Sequence, residues 1–181
     1  MNNIYDVWFS TVKLNNKIKK HLLELYNAEE IWNMDSRDLQ NELTWYSKEK
    51  IEIQISEILN LEKRNKIEKY FEYMKKFNIC LISYKEKEYP SLLKNINDIP
   101  IYLYIRGNID NLYKDNIAVV GARYASNYGK KVAMELSKYA CDNNVGVVSG
   151  LAIRCGQICS FRKSTKQSGK YYCGTWNRCC K

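Results

Sequence analysis

The stretch Asn116–Gly129, NIAVVGARYASNYG, answered by Val147–Ala152, VVSGLA, decides the fold. The first run is apolar and β-rich, breaks at Gly121 and passes into a segment with helical periodicity. A strand, a glycine turn and a helix in that order is how a parallel α/β sheet sets an anion-binding loop at the carboxyl end of a strand. The second run ends in Ser149 and Gly150, which predicts a second strand tip beside the first. Between the two runs, Ser126 is placed to cap a helix whose apolar stripe is Val132, Ala133, Leu136 and Ala140. Asn143, Asn144 and Gly146 are placed to end it, giving a βαβ unit that is right-handed by default.

The residue types at this turn suit a phosphate. Gly121 has no Cβ, so the backbone can turn sharply and let an anion approach the following amides. The helix N-terminus adds about half a positive charge from its unpaired N–H groups. Arg123 offers a bidentate fork that Lys cannot reproduce. Ser126 and Ser149 offer hydroxyls, and Gly150 permits close approach from the second strand tip. A turn glycine with a solvated arginine would read the same way. A single glycine also falls short of GxGxxG, and no acidic residue is placed to hold a ribose, which argues against a nicotinamide dehydrogenase. Tyr124 and Tyr128 beside the loop are candidates for base stacking or for packing.

Outward from the loop, the α/β part is expected to begin near Asn78. Ile79–Tyr84 (ICLISY) and Ile101–Arg106 (IYLYIR) read as strands, and Tyr89–Leu93 (YPSLL) as a turn into a short helix. Residues 1–77 read as a small helical domain. Val12, Leu14, Ile18, Leu22 and Leu25 recur at helical spacing, with Lys13, Lys17, Lys19 and Lys20 on the other face. Asp35-Ser36 and Ser47 are expected N-caps, the latter for a helix through Ile51, Ile53, Ile55 and Leu59. A further helix follows over Leu61–Phe77, with Ile67, Tyr70, Phe71 and Met74 as its apolar and aromatic positions. A helix-hairpin-helix DNA clamp needs a glycine in its hairpin, and none precedes Gly107.

Bulk charge is a poor guide to partners here. The formal net charge is +9, but Ile153–Lys181 holds seven basic side chains and no acid, so the other 152 residues carry 22 basic against 20 acidic groups. The basic character belongs to the last 29 residues and not to the part with the loop. Cysteine is skewed likewise: Cys80 and Cys141 read as isolated buried thiols, whereas Cys155, Cys159, Cys173, Cys179 and Cys180 crowd the tail. Their spacing does not match paired zinc ligands, and the one histidine, His21, reads as a surface residue far from them. No metal or cofactor is expected. No apolar run approaches the roughly 20 residues of a membrane span and no signal peptide opens the chain, so a cytoplasmic protein with no membrane association is expected.

Several motifs in order carry a resemblance. Tyr89-Pro90-Ser91-Leu92-Leu93, Asp98-Ile99-Pro100-Ile101-Tyr102-Leu103-Tyr104, Arg106-Gly107-Asn108, Val119-Val120-Gly121-Ala122-Arg123 with Ala125-Ser126 and Tyr128-Gly129, and Val148-Ser149-Gly150-Leu151-Ala152 closely resemble the DNA-processing protein A family, also called Smf. The resemblance covers residues 78–152, with the helical segment before it a looser fit to the family's N-terminal domain. It implies an α/β fold: an incomplete extended Rossmann-like parallel sheet preceded by a small all-helical domain. It implies single-stranded DNA as ligand, RecA recombinase as a partner loaded onto incoming strands during natural transformation, a homodimer in intact members, and no enzymatic activity. Carried over residue by residue, it makes Gly121, Ala122 and Arg123 the backbone-binding group, with Ser126, Ser149 and Gly150 completing the pocket. The other class in contention is a nucleotide-binding module or a nucleoside-monophosphate phosphoribohydrolase of Rossmann type. That chemistry wants a carboxylate pair near the loop; none follows Gly121, and Glu135 lies too deep along its helix.

After Ala152 the chain leaves the family's pattern of Gly-Ile/Val-Asp, Ala-His and Leu-Gly-x-Gly. IRCGQICSFRKSTKQSGKYYCGTWNRCCK has no helical or strand period and no acids. Permitted codon choices for this tail, with one base removed at codon 153, regenerate Gly-Val-Asp, Ala-His and Leu-Gly-Thr-Gly in order. Trp176 followed by Asn177 forces a glycine in that frame whatever codons are chosen. Residues 153–181 are therefore expected to be a frameshifted, disordered tail. The chain as written would lack the family's remaining strands, leaving it truncated, poorly stable and defective.

Overall fold

Asparagine and aspartate side chains set where most of the helices begin. In the computed structural model, which describes residues 3–121 and 126–149, Asn3 opens α1 (Ile4–Thr11), Asn15 opens α2 (Asn16–Leu25) and Asn27 opens α3 (Ala28–Asn33). Asp35 opens α4 (Ser36–Glu42) and Asn60 opens α6 (Leu61–Lys76). Each accepts a hydrogen bond from a first-turn amide, a contact that stabilises a helix by about 1 kcal/mol. In α3 and α4 the box is complete, with Glu30 and Asp38 accepting from the cap residue's own N–H. α5 (Lys48–Ile58) follows Ser47, but the expected hydroxyl cap is not made.

Packing divides the chain between Arg106 and Gly107. In the first unit, Val7, Trp8 and Phe9 of α1 are fully buried with Val12, Ile18, Leu22, Ile31, Leu39 and Ile58, and Ile67 and Met74 bring in α6. The expected stripe is split between two helices: Val12 is buried at the C-cap of α1 and Ile18 and Leu22 on α2, whereas Leu25 is exposed and the buried arc of α2 widens to include Lys19, at 8% exposure. Lys19 Nζ donates to the Ser10 carbonyl at 3.2 Å, one of the otherwise unpaired carbonyls at the end of α1. His21 is half-buried rather than at the surface, against the Glu42 carbonyl and edge-on to Trp45. The Arg64 guanidinium lies against both Trp32 and Trp8, 4.5 and 5.3 Å from their ring centroids. Its Nε and Nη2 are buried without a hydrogen-bond partner, and the aromatic faces offset part of that cost.

β1 (Ile79–Ser83) and β2 (Tyr102–Arg106) pair antiparallel, with Ile79 opposite Arg106, Leu81 opposite Tyr104 and Ser83 opposite Tyr102. Asn78 takes a left-handed φ of 50°, which turns the end of α6 into β1. Cys80 is half-buried and free, and burial pushes its thiol pKa up. A two-stranded hairpin is marginal alone; this one packs on the helices, with Leu81 and Ile101 inside their core. Tyr102 donates to the Asp6 carboxylate at 3.0 Å, and the Tyr104 hydroxyl pairs with Ser10 Oγ. The expected boundary near Asn78 thus falls between elements that share one core.

The second unit holds β3 (Asn116–Ala118), α7 (Asn127–Asp142) and β4 (Gly146–Val148). β3 and β4 are parallel, the pairing expected of the whole sheet, whereas β1 and β2 are not. The α/β class holds, with helices preceding. α7 ends in a Schellman turn: Asn144 at φ 59° donates to the Cys141 carbonyl, and Val145 N–H reaches Ala140 at 2.8 Å. Among the described residues no helix is long and apolar enough to cross a membrane. Ala122, Arg123, Tyr124, Gly150 and everything expected of residues 153–181, the frameshift included, lie outside the described residues.

Candidate nucleic-acid interface

β3 and β4 run side by side in the register Asn116–Gly146, Ile117–Val147 and Ala118–Val148. One more ladder bond, Val119 N–H to Val148 carbonyl at 2.9 Å, carries the pairing past β3. That register brings Ser149 to the end of one strand alongside the Val119–Gly121 end of the other, as the two motifs predict. At the opposite end the Asn116 side chain packs over Gly146: a Cβ there would fall 1.9 Å from Asn116 Oδ1 and would require that side chain to move. Sequence reading took Gly146 only as punctuation; the Asn-Asn-Val-Gly run carried no signal of the close approach.

α7 rises from this end. Ser126 is its N-cap, with Oγ accepting from Gly129 N–H at 3.1 Å and its carbonyl accepting from Lys130 N–H at 3.0 Å. The hydroxyl predicted as a phosphate ligand is therefore first a cap. Its proton remains a donor, because a hydroxyl can accept and donate together. Over sixteen residues the helix dipoles add up to a favourable site for negative charge at this end.

The helix lies on the strands through small side chains. Ala133, Ser137 and Ala140 are buried with Val119 and Val147. Val132 and Leu136, expected in the buried stripe, are exposed. Ser137 takes their place because its Oγ donates back to the Ala133 carbonyl at 2.6 Å, which satisfies the hydroxyl inside the core. Tyr128, for which stacking and packing were both open, is 77% exposed in the first turn of α7 and packs on nothing in that core. Thus Gly121, Ser126 and Ser149 are brought to one end of the parallel pair, whereas Ala122, Arg123 and Gly150 lie outside the described residues.

The model of the family described as DNA recombination-mediator protein A matches residues 80–170, half of the chain, and extends beyond Ala152. The chain is 40% identical over 75 residues to the DNA processing protein DprA of Bacillus subtilis, covering 41% of this chain and 25% of that protein. It is 41% identical over 64 residues to DprA of Streptococcus pneumoniae, covering 35% and 22%. With Protein Smf of Borreliella burgdorferi it shares 37% identity over 67 residues, covering 37% and 21%. The matched part spans about a quarter or less of the length of these relatives. The crystal structure of S. pneumoniae DprA superposes with a TM-score of 0.59 at 22% identity, covering 91% of this chain and 56% of that one, which is a likeness of fold. With motifs, fold and family match coinciding, the chain belongs to the DNA recombination-mediator protein A family.

Proposed function

We propose that this chain binds single-stranded DNA at the carboxyl end of the β3–β4 pair, as a binding protein of DNA uptake rather than an enzyme. In this reading Gly121, Ala122 and Arg123 grip the phosphodiester backbone, and Ser126, Ser149 and Gly150 complete the pocket. The observation that carries it is the capped N-terminus of α7 rising beside two parallel strand tips. There, first-turn amides and the Ser126 cap stand at the same end of the unit as Gly121 and Ser149. Tyr128, exposed in the same turn, is available for a base to stack on. In this role the protein shields incoming strands in the cytoplasm and helps load RecA onto them, acting as a homodimer.

Fluorescence anisotropy with a labelled oligo-thymidylate tests the reading. Single strands should bind with an affinity that falls as salt rises, and more tightly than a mononucleotide. Arg123→Ala should weaken binding at least tenfold, the range for a lost charge-assisted hydrogen bond. A mononucleotide that binds more tightly than the oligomer would instead favour a nucleotide-binding module.

A further inference from the structure

The first unit carries an open face of aromatic rings and cations with no role in the loop chemistry. Tyr70 and Tyr73 on α6 and Phe77 at its C-cap follow one another along the edge of the core stripe of Ile67 and Met74. Tyr73 and Phe77 rings lie 4.4 Å apart at 45°. On β2, Tyr104 and Arg106 project from the same face of the strand, two residues apart, towards that row. Tyr104 meets Tyr70 edge-on at 6.3 Å, and the Arg106 guanidinium sits 5.6 Å from the centre of Phe77. Lys76 Nζ stands 5.8 Å from the same ring.

The rings are not simply core. Tyr73 is 50% exposed and Tyr104 41% exposed. Tyr104 is held in orientation by Ser10 at its hydroxyl end, so its ring is preorganised. Neither Lys76 nor Arg106 makes an ion pair with an acid among the described residues, whereas Lys75 is matched by Glu72 at 3.0 Å. Fixed, half-exposed rings beside unpaired cations are the chemistry that holds a single strand, with bases on the π faces and phosphates on the cations. A duplex hides its base faces and cannot use the rings.

We infer that the α6–β2 face, made of Tyr73, Phe77, Tyr104, Lys76 and Arg106, is a second contact surface for single-stranded nucleic acid, where unstacked bases lie on the tyrosines. This deepens the proposed function and rests on its single-strand reading. The test is photocrosslinking of the full chain to an oligo-thymidylate carrying 5-iodouracil, with crosslinked peptides mapped by mass spectrometry and affinity read by anisotropy. The inference expects crosslinks at Tyr73 or Tyr104. It also expects Tyr73→Leu to weaken binding about fivefold or more, the effect of losing one stacked base. Arg106→Gln, which leaves every ring in place, should lower the yield at those tyrosines and guards against a variant that disturbs α6. Crosslinks confined to residues 116–130, with both variants within twofold of the unaltered chain, would overturn the surface and leave the loop reading intact. Crosslinks on the tyrosines alone would uphold the surface and overturn the loop, and no crosslink anywhere would overturn both.

Discussion

Replacing Lys19 by methionine should stabilise the first unit near neutral pH and lose that benefit in alkali. Burial, with a smaller contribution from nearby Lys63, lowers the Lys19 pKa from 10.5 to about 8. At about 1.36 kcal/mol per pH unit, the folded state carries a cost of about 3 kcal/mol for keeping the ammonium charged at pH 7. Methionine keeps the apolar stem but loses the bond to the Ser10 carbonyl, which costs about 1 kcal/mol. The net gain for Lys19→Met at pH 7 is therefore about 2 kcal/mol.

The sign follows from linkage. Because the folded pKa lies below the unfolded one, the cost is complete below pH 8 and disappears as pH rises to 10.5. By pH 9.5 it has fallen to roughly 1 kcal/mol, so the advantage of Lys19→Met should shrink by about 2 kcal/mol between pH 7 and 9.5. Urea titrations followed by tryptophan fluorescence report on this unit through Trp8, Trp32 and Trp45. The difference between the two proteins cancels the ionisation of tyrosines such as Tyr102, whose buried hydroxyl is also pushed far up. A Lys19→Met chain less stable than the parent at pH 7, or a difference that does not change with pH, would refute the reasoning.

Two further substitutions test the packing and the loop helix. Tyr89 is buried and donates to the Pro100 carbonyl at 2.7 Å. Tyr89→Phe should cost about 1–2 kcal/mol in a denaturant titration, because the carbonyl is left without its partner. Ser126→Ala removes the acceptor for Gly129 N–H, and should lower stability by about 1 kcal/mol with a loss of α7 helicity by circular dichroism.

What could be read from sequence was whatever rests on local rules. The Asp35 and Ser126 caps, the helix-ending Asn143-Asn144 pair and the strand–turn–helix around Gly121 each follow from the chemistry of a few neighbouring residues. What escaped depends on how a side chain is used once it is packed. Lys19 looked like a solvent-facing lysine because periodicity counts the charged head and not the stem, and the carbonyl that receives its ammonium belongs to another helix. Ser137 falls outside the stripe of Val132, Ala133, Leu136 and Ala140 because the hydroxyl's return to its own helix cannot be seen in composition. The tyrosines of β2 gave no hint of their partners, since Tyr102 and Asp6 stand 96 residues apart in sequence.

The same distinction explains why Arg106-Gly107-Asn108, which reads as one motif, is structurally three things. Arg106 closes β2 and sends its guanidinium to Phe77, so it belongs to the helical unit. Gly107 sits at φ +113° with nothing within 4 Å of where a Cβ would stand. The glycine is therefore required by the backbone angle and not by space, and any L side chain there would be strained. Asn108 opens the 3₁₀ turn Ile109–Tyr113, its side chain accepting from Asp110 N–H at 2.9 Å, and so begins the unit with the loop. A short run that matches a family pattern as a whole can therefore contain the join between two packed units. The extent of a resemblance along the sequence and the extent of a core are separate quantities, set by different forces.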